Sequence, residues 1–420
     1  MDRRDFMKLA GAAGLMLAAP PVSAQTEPEA TDFYDGLFYV FVGGSGGWDP
    51  TSHCDPKGFL REDEDNPMNR SYAAADIGNV GNIPFAPVGY YPEFVQKHYE
   101  KMLVLNGVDT QTNGHDSGRR HVGSGKLAEG FPSFGALVAA HYGIGLPMSY
   151  VTNGFYDETA GKVAKTRVSN VGVFERIAMP NAVNPGDPER GYHTDDTFRR
   201  IQEAQQSRLL AKRGLNKLPK LEQSMGTLHI ARSSDNVLGR LLEYLPETQA
   251  ANGIQRQAQL AIAAYKAGAC VSANLSQGGF DTHGNHDANH IPRLSSLWEG
   301  VDYVWEEAER QGVADKVVVI VGSDFGRTPG YNGNNGKDHW SVTSMVLMGA
   351  GIRGNRVVGG TTQRHALLTV NPQTLALEEG GVRISPGHVH QNLRKLAGLE
   401  QTRLNSEFQL DITENLDLFS

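Results

Sequence analysis

Five short apolar runs, each followed closely by glycine, decide what this chain can fold into. Leu37-Phe38-Tyr39-Val40-Phe41-Val42 stops at Gly43-Gly44, and Met102-Leu103-Val104-Leu105 stops at Asn106-Gly107. Cys270 to Leu275, Val317 to Val321 and Met345 to Met348 repeat the pattern. A strand that is apolar on both faces must be covered on both, as in a buried parallel sheet. Helical patterns lie between the runs: Ser133 to His141, Asp195 to Arg213, Ile254 to Ala267 and Leu294 to Gln311. In the last of these, Leu297, Val301, Val304 and Trp305 form one apolar stripe. Ser385-Pro386 opens a final helix, with proline in its first turn. Strands alternating with helices give an α/β fold with a mostly parallel sheet covered on both faces. We expect one domain over residues 37–420, with a helical insertion at about 150–250.

The N-terminus reads as an address. Asp2-Arg3-Arg4-Asp5-Phe6-Met7-Lys8 resembles a twin-arginine export signal, followed by an uncharged run and a small-residue cleavage site at Val22-Ser23-Ala24. Residues 1–24 are therefore expected to be removed, and 25–36 to be a polar linker. The uncharged run is too short for a membrane span, and no later segment offers a stable one. The expected location is periplasmic or secreted, with the twin-arginine translocase as a partner during export. A formal net charge of −8 argues against nucleic acid as a partner. The two cysteines, Cys54 and Cys270, exclude a disulfide-dense scaffold and a cysteine-only zinc site, and need not pair.

In open α/β sheets, ligands bind beyond the carboxyl ends of the strands. Three such ends each deliver an aspartate here: Asp49 after the first run, Asp281 after the run at 270–275 and Asp324 after the run at 317–321. Asp281, His283, His286, Asp287 and His290 fall within ten residues, and carboxylate with imidazole is a ligand set for zinc, manganese or iron. Asp338-His339 follows a Gly/Asn loop. His286 and His290 can equally be solvated residues of a surface turn. Arg327 can pair with Asp324 or bind an anionic substrate group in a bidentate manner. Gly43-Gly44-Ser45-Gly46-Gly47 fits the Gly-x-Ser-x-Gly elbow of serine hydrolases, with Asp324 and His388 in suitable order, but Trp48-Asp49-Pro50 breaks the helix the elbow needs.

Phe280-Asp281-Thr282-His283, Ser323-Asp324-Phe325-Gly326-Arg327-Thr328 and Asp338-His339 resemble the recurrent motifs of the domain of unknown function 1501 family, secreted bacterial proteins related to alkaline phosphatases and sulfatases. The resemblance implies an alkaline-phosphatase-like three-layer sandwich with one or two metals at the carboxyl edge of its sheet. It implies Asp49, Asp281, His283, Asp324 and His339 as metal ligands, although Phe325 stands where phosphatases carry a metal-binding histidine. The superfamily nucleophile opens a helix after the second strand, which here is His115-Asp116-Ser117-Gly118. No cysteine stands at His115, so formylglycine chemistry is not expected. The candidate catalytic residues are Ser117, His115 and Arg327. These features point to an exported hydrolase that uses a divalent metal (zinc, manganese, calcium or magnesium) on small anionic phosphate or sulfate esters. Two alternatives stay open: a non-catalytic binding or assembly protein with a degenerate metal site, and a serine esterase using Ser45.

Overall fold

The structure is a computed structural model that describes residues 34–167, 176, 179–184, 187–215 and 235–420. The expected export signal and most of the expected linker lie outside the described residues. Eight strands form the central sheet: β1 (Phe38–Gly44), β2 (Met102–Asp109), β3 (Tyr150–Thr152), β4 (Lys165–Thr166), β5 (Ser272–Gln277), β6 (Val317–Ser323), β7 (Val342–Gly349) and β8 (Arg356–Gly359). Their spatial order is β8-β2-β7-β6-β1-β5-β3-β4. The pairings β1 with β6, β1 with β5, β3 with β5, β3 with β4 and β2 with β8 are parallel. The strand β7 runs antiparallel to both of its neighbours, β6 and β2. It therefore begins, rather than ends, at the edge where the other strands finish. Each central strand arises as the sequence pattern requires. Phe38, Val40 and Val42 join one core, and Tyr39 and Phe41 join the other. Val317, Val319 and Val321 divide from Val318 and Ile320 in the same way.

Helices α1 (Tyr91–His98), α2 (His115–Ser124), α3 (Phe134–Tyr142), α4 (Asp195–Leu215), α5 (Gly253–Lys266), α6 (His286–Arg310) and α7 (Pro386–Leu396) accompany the sheet. On one face α5 contributes Ile254, Leu260 and Ile262, and α6 contributes Leu297, Trp298, Val301 and Trp305. On the other, α3 supplies Phe134 and Leu137, and α7 supplies Val389 and Leu393. Two differences from the sequence reading have physical causes. The α6 helix starts at His286, not Leu294, and carries Pro292 inside it, where a ring without an N–H ordinarily argues for a boundary. The strands β3 and β4 lie within the segment expected as an insertion, yet they extend the central sheet. Among the described residues no helix is long and apolar enough to cross a membrane. Cys54 and Cys270 are both buried and free.

Candidate metal centre

The ends of β5 and β6, the start of α2 and the segment leading into β7 meet at one place. The glycine tract after β1 lets them meet. Gly46 has φ +122, and a Cβ there would lie 2.5 Å from the Asp281 backbone nitrogen. Residues 326–327 and 339–340 pair as a two-stranded ribbon, which fixes His339 against the β6 end. Gly336 brings the Asn-rich loop against residue 283, where a Cβ would lie 1.9 Å from the His283 carbonyl.

Asp281 is the centre of the arrangement. Its Oδ1 lies 3.0 Å from His283 Nε2 and 3.1 Å from His339 Nε2, and its Oδ2 lies 3.4 Å from His115 Nε2. The two nitrogens His283 Nε2 and His339 Nε2 are themselves 3.0 Å apart. The ligand atoms of His115, Asp281 and His339 all lie within 4.8 Å of one another. Each imidazole is anchored from behind by an acceptor. His115 Nδ1 donates to Asp324 Oδ2 at 2.8 Å, His283 Nδ1 to Asp338 Oδ1 at 2.8 Å, and His339 Nδ1 to the Asn113 carbonyl at 2.8 Å. These bonds place the ring protons outward, so three Nε2 lone pairs face one carboxylate. Lone pairs and carboxylate oxygens at such distances repel unless protons or a cation stand among them. Outward Nδ1–H bonds to carboxylates and carbonyls are the usual support of metal-ligating histidines. The residues present thus fit a metal: three nitrogens and one carboxylate, all pre-aimed.

The electrostatics agree. Partial burial works against ionised Asp281, but the hydrogen bond from Arg327, with the His339 imidazole close beside the carboxylate, outweighs it and holds the carboxyl at about 2. Asp324 raises the pKa of His115 through its hydrogen bond. The Phe325 ring packs 4.9 Å from the His115 ring and 4.4 Å from the His339 ring, holding both imidazoles from one side.

Each residue singled out in the sequence has a definite place. Asp281, His283 and His339 converge, and His115, expected as a catalytic residue, turns its Nε2 toward the same carboxylate. Asp324 stands one step behind, on His115, where its Oδ2 also accepts from the Gly46 backbone N–H at 3.1 Å. Asp49 belongs to a different arrangement. It is fully buried; its Oδ2 pairs with Lys337 Nζ at 2.5 Å and His286 Nε2 at 3.2 Å, and its Oδ1 accepts from Thr51. Burial opposes its ionisation, but the Lys337 ammonium and then His286 hold it well below the usual carboxylate range.

Arg327 is not a free anion clamp. Fully buried, it donates to the carbonyls of Gly46, Gly47, Phe280 and Lys337 and to Asp281 Oδ1. It pairs with Asp281, not Asp324. Ser117 Oγ is engaged with Thr112 Oγ1 at 2.6 Å and the Gly114 carbonyl at 3.1 Å. The serine-esterase reading also lacks its triad. His388 bonds Ser385 and stands by Glu414, whereas Asp324 is committed to His115 and Gly46. His286 and His290 are buried in the first turns of α6, not solvated, and burial lowers the pKa of both. Sequence reasoning missed Lys337 and gave no weight to Asp338 as the partner of His283. The contiguous Lys337-Asp338-His339 was the available signal.

The model of a family described as "Protein of unknown function (DUF1501)" matches residues 39–409. No curated protein matches the chain. Among solved structures, Ps i-CgsB in complex with k-i-k-neocarrahexaose is similar at 8% identity, over 91% of this chain and 75% of its own, with a TM-score of 0.43. A sulfatase from Pseudoalteromonas sp. is similar at 11% identity, over 92% of this chain and 72% of its own, with a TM-score of 0.40. The alkaline phosphatase of the Antarctic bacterium TAB5 is similar at 10% identity, over 87% of this chain and 100% of its own, with a TM-score of 0.35.

Proposed function

The chain belongs to the DUF1501 family of proteins of unknown function, and from that premise and the geometry of its site we propose that it is an exported, metal-dependent hydrolase of small anionic phosphate or sulfate esters. One observation carries this reading: three imidazoles, each anchored outward through Nδ1, aim Nε2 at the single carboxylate of Asp281. His115, His283, His339 and Asp281 would hold the metal. A donor set of three imidazoles and one carboxylate favours zinc or manganese over calcium or magnesium, which prefer all-oxygen ligation. When bound, such a metal polarises an ester oxygen and lowers the pKa of a water molecule.

The chain's own residues do the rest. Arg327 keeps Asp281 ionised and in register, while Asp338, Asp324 and the Asn113 carbonyl keep the ring protons facing outward. The α2 helix begins at His115, and Gly114 before it provides no side-chain cap, so its positive end favours an anion beside the imidazoles. Arg3-Arg4 and the uncharged run behind them support export through the twin-arginine route to the periplasm or beyond.

A second reading is favoured by Ser117 and Arg327, because neither a hydroxyl nucleophile nor an anion clamp among those expected is free. It is a non-catalytic binding protein that retains the metal. A screen of phosphate and sulfate esters with and without a chelator tests the choice. Chelator-sensitive turnover supports the hydrolase. Full metal content with no turnover of any ester overturns it in favour of the binding protein.

A further inference from the structure

We infer that the buried Lys337–Asp49 ion pair is a positioning device for the metal centre, fixing the segment that carries Asp338 and His339 against the segment that carries Asp281 and His283. This inference rests on the metal-centre reading. Both side chains are fully buried, at a depth where an ion pair is costly to desolvate and is a poor way to gain stability alone. The pair sits where the two histidine-bearing segments join. The Lys337 backbone N–H donates to the Thr282 carbonyl at 3.1 Å, and the Lys337 carbonyl accepts from Arg327 Nη1 at 2.9 Å. Its ammonium bonds Asp49 Oδ2 and the Met68 carbonyl, each at 2.5 Å.

A second contact of Asp49 Oδ2 leads back to the same place. His286 Nε2 lies 3.2 Å from Asp49 Oδ2, and His286 Nδ1 lies 2.6 Å from Thr282 Oγ1. Asp49 thus touches one segment through Lys337 and the other through His286 and Thr282. The residues on either side of Lys337 both face His283: Gly336 against its carbonyl, and Asp338 on its Nδ1. Fixing Lys337 from below therefore sets where Asp338 and His339 stand relative to His283 and Asp281. Lys337 and Asp49 are positioning residues, one layer beneath the donors.

The test is cobalt(II) binding to the purified full chain, followed by the d–d absorption spectrum and by competition with a chromophoric chelator. The variants are Lys337→Met and the charge-neutral double variant Asp49→Asn/Lys337→Met, which keeps a measurement available if the single variant does not fold. Asp302→Asn, which removes a buried carboxylate paired with Lys97 and His98 away from the centre, is the control for stability loss alone. The expected result is cobalt affinity weakened about 10–100-fold with an altered spectrum in the Lys337 variants, as for other supporting residues of metal sites, and wild-type affinity and spectrum in Asp302→Asn. A folded double variant with wild-type affinity and spectrum overturns the inference, as does an equal loss in Asp302→Asn. If the wild-type chain itself takes up no cobalt, the metal-centre reading fails, an outcome distinct from either.

Discussion

His115 Nδ1 lies 2.8 Å from Asp324 Oδ2, and the Nε2 of the same ring lies 3.4 Å from Asp281 Oδ2. One imidazole therefore joins the aspartate at the end of β6 to the aspartate beyond β5, with its outer proton fixed by the first and its lone pair aimed at the second. This arrangement assigns Asp324 a supporting role, which the following substitution isolates. Asp324→Ala should leave all four donors in place but weaken metal affinity by about 10–100-fold. Chelator competition with zinc measures it. Unchanged affinity would place Asp324 outside the metal's support.

Arg327 makes a separate prediction. Its guanidinium serves four carbonyls and one carboxylate in full burial, a geometry that an ammonium cannot reproduce. Arg327→Lys should strand several buried carbonyls, each at about 1–3 kcal/mol. Urea unfolding of the metal-free protein should show a lower midpoint. A midpoint equal to that of the wild type would mean that the glycine tract is held by something else.

Away from the site, Asp302 accepts from Lys97 Nζ at 2.6 Å and lies 2.7 Å from His98 Nε2, with the Tyr90 hydroxyl also bonded to it. Burial raises its pKa, but His98, Lys97 and Tyr90 more than offset this and bring it below the usual carboxylate range. A depressed folded-state pKa gives stability that is present above the unfolded value of about 4 and is lost as pH falls through the folded value. Asp302→Asn should therefore lower the unfolding midpoint at pH 7, and the gap to the wild type should shrink as pH falls below about 4. Denaturant titrations at pH 7 and pH 3 check this; a gap that widens in acid contradicts it.

The central sheet was legible because its strands are apolar on both faces and end on glycine. Val317 to Val321 and Phe38 to Val42 needed no partner to be recognised. Asp281 and His283 were legible because they directly follow such a strand. The direction of β7 was hidden, since an apolar run reads the same both ways. His115 carried no local sign of its place: it is set by Asp281 and Asp324, from strands far along the chain. The resemblance implies Asp49, which also follows a strand, as a ligand, yet the Lys337 ammonium already neutralises it. Arg327 offered two roles in the sequence, and the carbonyls of Gly46 and Gly47 took it for a third. Pairings of this kind are made by packing, and no spacing within one segment encodes them.

The metal content of the purified protein, read by elemental analysis beside Asp281→Ala and His339→Ala, tests the metal-centre reading most directly. About one transition-metal ion per chain is expected in the wild type, of the zinc or manganese kind. Both variants should lose it, and the wild type should melt higher with metal than without, because metal bound to the folded state alone stabilises it. A wild-type chain that carries no metal, takes none up from zinc or manganese solutions and melts at the same temperature in their presence would contradict the account.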